Sequence, residues 1–325
     1  MKESAYIGHE SQLFGVEEHR LVGGKGDGMR LMEVTNGKGL EMTVLPDRNC
    51  DLSRLRFRGI NMNYFSPCGY VAPAYYDNVG ANWLSSFTAG YLTTCGLQAV
   101  GSPCEDEGEA LPLHGSIANT PSEHTWWVQE GDELVICGVT KDETIFGRKL
   151  RLSRQIRVSL AENSFRIVDR IENTGDRTEP MEILYHMNMG YPLLDEDSIV
   201  TIPAAQVNPR DDHAAEDIEN CLKMEKPTPG YQERCYYHVF ADEKGLARIV
   251  QPKLGAGLQI EFDAKELDGF VEWKMMGVRD YVLGLECGNC YPDGRDVMRR
   301  TGMLKFLAPG ESKTYEVKIT LLDVK

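Results

Sequence analysis

Two of the seven histidines in this 325-residue chain stand in sequence contexts unlike those of the others. His114 lies in Leu-Pro-Leu-His-Gly, and His186 lies in Leu-Tyr-His-Met-Asn-Met-Gly. An imidazole changes its charge close to neutral pH, so both side chains are candidates for proton transfer. The alternative is that each makes a structural hydrogen bond, and the residue types alone weigh the two interpretations about equally.

The remaining histidines have neighbours that indicate ordinary positions. Four lie among polar residues and are predicted to be solvated: His9, His19, His124 and His213. His238 alternates with aromatic residues, as expected for a hydrogen-bonded side chain in the core.

An alternation of apolar residues predicts the strands that position His186. Apolar side chains recur at every second position from Leu150 to Leu160, with Arg154 at one of these positions, which is typical of a half-buried strand. A second strand follows and carries Asp169. A turn centred on Glu162-Asn163 makes Arg154 and Asp169 diagonal neighbours on one face of this strand pair.

The third strand of this series ends at Gly190-Tyr191-Pro192. Its buried face is predicted to carry Met181, Ile183, Tyr185 and Met187. His186 and Asn188 then lie on the opposite face, where both are candidates to contact a ligand.

Composition narrows the class of protein. Hydrophobic residues make up 42% of the chain, enough for a full-sized core, and residues 1–325 are predicted to form a single domain. The net charge of −15 argues against nucleic acid or an anionic membrane as a partner. No signal-like or membrane-spanning apolar stretch is present, so a soluble cytoplasmic location is expected. Nine cysteines without framework spacing are expected to be reduced thiols.

Short runs with turn signals between them predict an all-β chain with few short helices. Residues 66–104 are the least regular part, with a short helix predicted at 82–87. Residues 208–230 are polar and acidic and are predicted to be an insertion or lid-like loop. Residues 287–300 are predicted to be a loop that contains the pair Cys287-Gly-Asn-Cys290, for which zinc or redox use is a minor alternative.

Three motifs occur in the order found in a known family. They are Leu-Pro-Leu-His114-Gly, Leu-Tyr-His186-Met-Asn-Met-Gly and Leu-Gly-Leu-Glu286-Cys-Gly-Asn-Cys. The chain thereby resembles the aldose 1-epimerases, or galactose mutarotase-like proteins, and more narrowly an uncharacterised branch related to them. The resemblance extends from about Leu40 to the C-terminus. It implies a β-supersandwich that binds a sugar on the concave polar face of its large sheet.

The resemblance also implies a role for each of the three residues. Glu286 would be the general base, His186 the general acid, and His114 would hold the substrate near its ring oxygen. Mutarotation removes a proton from the anomeric hydroxyl and delivers one to the ring oxygen, and a carboxylate with an imidazole can do both near neutral pH. This chemistry requires no cofactor and no metal.

The residues that grip the sugar are less well defined. Sugar mutarotases carry an arginine before the first histidine, and Thr94-Cys95-Gly96 occupies roughly that region here. The candidates for substrate contact, besides Asn188, are Arg48, Trp83, Arg210, Asp211 and Arg279. A phosphorylated or acidic sugar would favour one of these arginines as a bidentate clamp.

The sequence therefore predicts a cofactor-independent aldose 1-epimerase, or a close relative, that interconverts the anomers of a monosaccharide or sugar derivative. Its partner is a small sugar, and a homodimer is compatible with the sequence. One alternative is a non-catalytic carbohydrate-binding or sensor protein. Another is a metal-dependent sugar isomerase or lyase that uses His114, His186 and Glu286 as ligands.

Overall fold

Residues 4–324 are described by the computed structural model, and antiparallel strands dominate them. In chain order the strands are β1 Gly15–Arg20, β2 Arg30–Thr35, β3 Leu40–Leu45, β4 Asp51–Phe57, β5 Ile60–Asn61, β6 Leu92–Leu97, β7 Cys104–Asp106, β8 Glu109–Leu111, β9 His124–Glu130, β10 Glu133–Glu143, β11 Lys149–Ser159, β12 Ser164–Asn173, β13 Glu179–Pro180, β14 Glu182–Met189, β15 Ile199–Thr201, β16 Gln206–Pro209, β17 Arg234–Val239, β18 Lys244–Gln251, β19 Ala256–Asp263, β20 Gly269–Met276, β21 Tyr281–Gly288, β22 Phe306–Leu307 and β23 Ser312–Asp323.

Helical structure is sparse, as predicted. The α-helices are α1 Asp212–Ala215 and α2 Arg295–Thr301. The 3-10 helices are Ser4–Tyr6, Glu10–Gln12, Gly24–Gly26, Pro73–Tyr75, Asn82–Ser86, Ile117–Asn119, Ile218–Asn220 and Pro252–Leu254. None of the helices in residues 4–324 is long and apolar enough to cross a membrane.

Two large sheets make up the sandwich. The larger has the order β1-β2-β3-β4-β6-β14-β21-β20-β17-β16, with β5 paired to β4. The smaller has the order β15-β18-β19-β23-β12-β11-β10-β9. Two short strand pairs, β13-β22 and β7-β8, lie outside them. The fold class predicted from the sequence, an all-β supersandwich, is confirmed.

The third predicted strand, β14, lies in the middle of the larger sheet and is buried on both faces. Ile183, Tyr185 and Met187 belong to the main core, in which residues of both sheets meet. Leu184, on the opposite face, packs into a second cluster with Met298 of α2. The alternation predicted from the sequence is therefore correct. Every residue of β14 is nevertheless buried, and this second cluster covers part of the face that points away from the main core.

Arg154 and Asp169 lie directly opposite each other in the β11–β12 ladder, so the predicted diagonal relationship is wrong. The turn is centred one residue earlier than the sequence suggested. Arg154 donates two hydrogen bonds to Asp169, at 2.9 and 2.7 Å, and one of 2.8 Å to Asp51 of the larger sheet. This buried ion network joins the two sheets.

The loop predicted near the C-terminus needs correction. Residues 287–300, predicted as a loop, contain most of α2, which Gly302 ends with a left-handed backbone. Cys287 packs in the main core, whereas Cys290 packs against α2 in the second cluster. The two thiols thus lie in different clusters, which does not favour the zinc or redox pair considered from the sequence. All nine cysteines are free thiols.

Candidate active site

His186 and Glu286 face each other from neighbouring strands. The register that pairs Leu184 with Gly288 and Asn188 with Gly284 places them opposite one another on the face away from the main core. Nδ1 of His186 lies 3.2 Å from Oε1 of Glu286. Their orientation is not that of a hydrogen bond, and neither atom has another partner among residues 4–324.

The remaining polar atoms of this pair open to a cleft. Only 5% of His186 and 1% of Glu286 is accessible to solvent. Nε2 of His186 and Oε2 of Glu286 make no hydrogen bond with the described residues, and they are not among the enclosed atoms without partners. They are therefore the atoms of this pair that a bound molecule can reach.

A glycine makes the space that the Glu286 carboxylate occupies. A Cβ atom at Gly284, two residues earlier on β21, would lie 2.2 Å from Oε1 of Glu286 and 3.0 Å from Cβ of Trp273. Such distances are far below van der Waals contact. The glycine of the Gly-Leu-Glu motif is thus needed to leave room for the Glu286 side chain, which the sequence alone did not reveal.

His114 reaches the same cleft from a loop whose shape depends on glycines. Its backbone is left-handed, with φ of 57°. The backbone N–H of Gly101 donates to Nδ1 of His114 over 3.3 Å, and the N–H of His114 donates to the Gly101 carbonyl over 2.9 Å. With Nδ1 acting as an acceptor, the neutral ring carries its proton on Nε2, so this atom is a hydrogen-bond donor.

Aromatic rings surround the two imidazoles. The ring centroids of His114 and His186 are 5.5 Å apart. Trp83 lies 4.8 Å from His114, and Trp273 lies 5.2 Å from His186, with Phe87 at 5.4 Å from His186. Nε1 of Trp83 is buried and has no hydrogen-bond partner in the described part of the chain. Apolar faces with few polar groups between them are typical of a small-molecule site.

Charged groups line the outer part of the cleft. Glu233 accepts a hydrogen bond of 2.7 Å from Nε1 of Trp273 and pairs with Arg210 at 3.2 Å. Asp293, which also lines the cleft, accepts a hydrogen bond of 2.7 Å from the Tyr237 hydroxyl. The whole cleft encloses about 480 Å³. This volume suits a monosaccharide-sized ligand.

Burial shifts the pKa values of the three central groups in a consistent direction. It lowers the pKa of His114 to about 4, although part of the residue's surface opens to the cleft. Burial, with the nearby His114, holds the pKa of His186 well below its usual value. Burial, with the charge of Glu233, raises the pKa of Glu286 well above its usual value. Both charged forms of the His186–Glu286 pair are thus disfavoured.

The structure brings together five of the residues selected from the sequence: His114, His186, Glu286, Trp83 and Arg210 all line the cleft. Four others do not line it. Arg48 is buried elsewhere and donates to the Val71 carbonyl, and Arg279 is exposed.

The other two candidates outside the cleft support nearby backbone. Asp211 caps α1 by accepting the Ala214 N–H at 2.9 Å. Asn188 is fully buried and donates to the carbonyls of Gly90 and His186.

The lining residues that were not selected from the sequence include Phe87, Glu233, Trp273 and Asp293. Trp273 had a usable signal, because it alternates with residues of β20 that pack in the main core and pairs with Gly284 of the Glu286 strand. Glu233 precedes β17 in a polar segment and gave no such signal. Within residues 4–324, no three His, Cys, Asp or Glu side chains are arranged to hold a metal ion.

Solved structures with the same architecture include three informative ones. One from Klebsiella pneumoniae subsp. pneumoniae, provisionally named an aldose 1-epimerase, has a TM-score of 0.89 and 27% identity over 96% of this chain and 84% of that chain. A galactose mutarotase-like protein from Clostridium acetobutylicum has a TM-score of 0.69 and 12% identity, covering 96% and 100%. Galactose 1-epimerase from Lactobacillus acidophilus has a TM-score of 0.66 and 12% identity, covering 96% and 100%.

The sheets thus define a galactose mutarotase-like β-sandwich protein, as the sequence resemblance indicated. Within that class, the chain belongs to the family DUF4432, a domain of unknown function, whose model matches residues 26–321. None of the curated proteins matches the chain.

Proposed function

We propose that this protein is a cofactor-independent mutarotase that interconverts the anomers of a monosaccharide by opening and closing its ring. The observation that carries the proposal is the His186–Glu286 pair, with 3.2 Å between two of its atoms and one further polar atom of each residue open to the cleft. The pKa directions add support, since burial lowers the pKa of His186 and raises the pKa of Glu286, and such perturbed groups cluster at functional sites.

The pair works with one shared proton. Because burial disfavours the carboxylate and the imidazolium alike, it favours the neutral form of the pair, with the proton on Glu286, over the ion pair. The roles that the sequence resemblance implied, Glu286 as base and His186 as acid, belong to the ion-paired form of the same pair. The neutral and ion-paired forms contain the same number of protons and differ only in which residue holds the shared one. In either form one partner donates a proton while the other accepts one.

Ring opening transfers one proton through this pair. One partner removes the proton of the anomeric hydroxyl as the bond between C1 and the ring oxygen breaks, and the other partner protonates that oxygen. The anomeric carbon becomes an aldehyde, which rotates about the C1–C2 bond. Closure reverses both transfers, so the pair again carries one proton and the sugar has the opposite anomeric configuration.

His114 and the aromatic rings position the sugar. The Nε2–H of His114 donates to a sugar oxygen, since Nδ1 is occupied by the Gly101 N–H. Trp83, whose Nε1 lacks a partner, and Trp273 supply ring faces against which the apolar C–H groups of a pyranose pack.

The charges of the cleft favour an uncharged sugar. Arg210 is the one cationic side chain among the described residues that line the cleft, and Glu233 already pairs with it. Asp293 and Glu286 add acidic groups. A phosphate or carboxylate on the sugar would therefore meet no unpaired cation.

The test compares wild type with Glu286→Gln, which keeps the shape of the side chain and removes its ability to cycle a proton. Sugar binding, measured by calorimetry, is expected to persist in the variant while added anomer exchange disappears. A non-catalytic sugar-binding protein would instead bind sugar without added exchange already in the wild type. The metal-dependent alternative predicts that stoichiometric metal and activity are lost together on chelation.

A further inference from the structure

The outer edge of the smaller sheet is formed by β9, which pairs only with β10 among the strands of residues 4–324. This strand has seven residues, and six of them are exposed. Trp126 is 46% and Trp127 is 39% accessible, and Val128 beside them is 38% accessible. Three adjacent apolar residues on an unpaired strand leave both a row of backbone hydrogen-bonding groups and an apolar surface unused.

The other three edges of the two large sheets differ from β9 in ways that discourage strand pairing. β1, the edge of the larger sheet, carries Glu17, Glu18 and Arg20. At the opposite edges, β16 is short and ends in Pro209, and β15 has only three residues. Proline, short length and charge are the usual protections of an edge strand. β9 contains neither proline nor lysine, and no register shift interrupts its ladder.

The side chains of β9 fall on two faces, as the register with β10 shows. Trp127 pairs with Ile136, whose side chain lies in the main core, so Trp127 is on the inner face of the sheet. Trp126 pairs with Cys137, so it lies on the outer face. His124, Val128 and Glu130 share this outer face, because side chains alternate along a strand.

We propose that β9 pairs antiparallel with β9 of a second copy of this chain, about a twofold axis at Trp127. This register uses the whole strand, and any other symmetric register leaves part of it unpaired. A twofold axis perpendicular to the sheet keeps the inner and outer faces continuous across the two copies. The two Trp127 side chains then lie beside each other, and Trp126 of each copy lies beside Val128 of the other.

A polar pair lies at each end of β9 in this register. His124 of one copy lies opposite Glu130 of the other, and the symmetry repeats this contact at the far end. Both side chains are exposed in the single chain. Glu130 also pairs with Arg157 at 2.7 Å, which keeps its carboxylate on the outer face. An imidazole N–H can donate to a carboxylate, and hydrogen-bonding side chains at directly paired positions stabilise an antiparallel ladder.

The first test measures the mass of the full-length protein in solution by light scattering or sedimentation. Wild type is expected at twice the chain mass of 36.5 kDa. Trp127→Lys, which places a charge at the centre of the contact, is expected at the mass of one chain. Ile199→Lys is the matched control, since Ile199 is 56% exposed on β15, the opposite edge of the same sheet. Its mass should equal that of wild type.

A monomeric wild type would overturn the proposal, as would a dimer that Trp127→Lys leaves intact. The second test addresses the register without altering the tryptophans. His124→Glu places like charges opposite each other at both ends of the contact, and His124→Lys places opposite charges there. The dimer dissociation constant is expected to rise several-fold in the first variant and not in the second. Equal constants in the two variants would rule out this register.

Discussion

Gly284 and Glu286 lie on the same face of one strand, so close that a single added carbon at position 284 would fall 2.2 Å from the Glu286 carboxylate. The backbone of Gly284 is not left-handed, so an alanine there is not strained by its conformation. The position thus offers a way to displace the proposed acid–base group without removing it.

Gly284→Ala is expected to lower anomer exchange by at least ten-fold, because a misplaced catalytic group loses much of its effect. The added carbon also approaches Trp273, so some loss of thermal stability is expected. Exchange rate and melting temperature are measured on the same samples. A folded variant with wild-type exchange would show that the position of this carboxylate does not matter for turnover.

Glu233→Gln is expected to move the alkaline limb of the pH–rate profile to lower pH. Burial is the main cause of the raised pKa of Glu286, and the negative charge of Glu233 adds to it. Removing that charge makes ionisation of Glu286 easier, so the pair loses its shared proton at a lower pH. Glutamine keeps an oxygen that accepts the Trp273 N–H. An unchanged alkaline limb would mean that Glu286 does not control it.

Arg210→Gln is a control for the Glu233→Gln prediction, because it should shift the same limb in the opposite direction. The positive charge of Arg210 lowers the pKa of Glu286, so its removal should move the same limb to higher pH. Two shifts in the same direction would indicate a general disturbance of the cleft rather than an electrostatic effect.

The burial of His114 is expected to make the free energy of unfolding depend on pH in a specific way. Burial lowers its pKa to about 4 in the folded protein, from 6.5 in the unfolded chain. Between these values the unfolded chain binds more protons, so the free energy of unfolding falls as the pH falls from 6.5 towards 4. The loss from this group is up to about 3 kcal/mol, and less to the extent that water in the cleft screens it.

His114→Asn removes this effect while tolerating the left-handed backbone, because asparagine adopts that conformation readily. Urea unfolding of both proteins at pH 7 and at pH 4.5 measures it. The stability difference between wild type and variant is expected to shift in favour of the variant at the lower pH. A difference that is the same at both values would show that His114 is not buried in its neutral form.

Arg154→Leu is expected to destabilise the fold by about 3–5 kcal/mol, because it leaves the buried carboxylates of Asp51 and Asp169 without their cation. Arg151→Leu is a matched control on the same strand. Arg151 pairs with Glu172 at 2.6 Å, but its side chain is 38% exposed, so its loss should cost no more than about 1 kcal/mol. Similar losses in the two variants would contradict the role of the network between the sheets.

Strand periodicity was sufficient to predict where His186 points. The alternation from Met181 to Met187 identified the core-facing row, and this alternation is a local property of the chain. The turn before β12 was predicted one residue late, because Glu162-Asn163 has good turn chemistry and competes with the neighbouring position. A shift of one residue was enough to change a direct pair into a diagonal one.

The residues that complete the candidate site could not be found by such local patterns. Glu233 and Asp293 come from loops, and they line the same cleft as His186 because β17, β20 and β21 lie side by side in an order unlike that of the sequence. Arg48 looked suitable as a polar residue in a loop, but its burial against the Val71 carbonyl depends on contacts 23 residues apart. Such contacts leave no periodic trace.

Anomer exchange, measured by saturation-transfer NMR on a panel of neutral aldoses and uronic acids with catalytic amounts of protein, tests the central proposal most directly. Enhanced exchange for at least one neutral aldose is expected, and it should be absent with Glu286→Gln. Wild-type protein that binds a sugar of the panel and adds no exchange to it, under conditions where Glu286→Gln binds equally well, would contradict the proposed mutarotase.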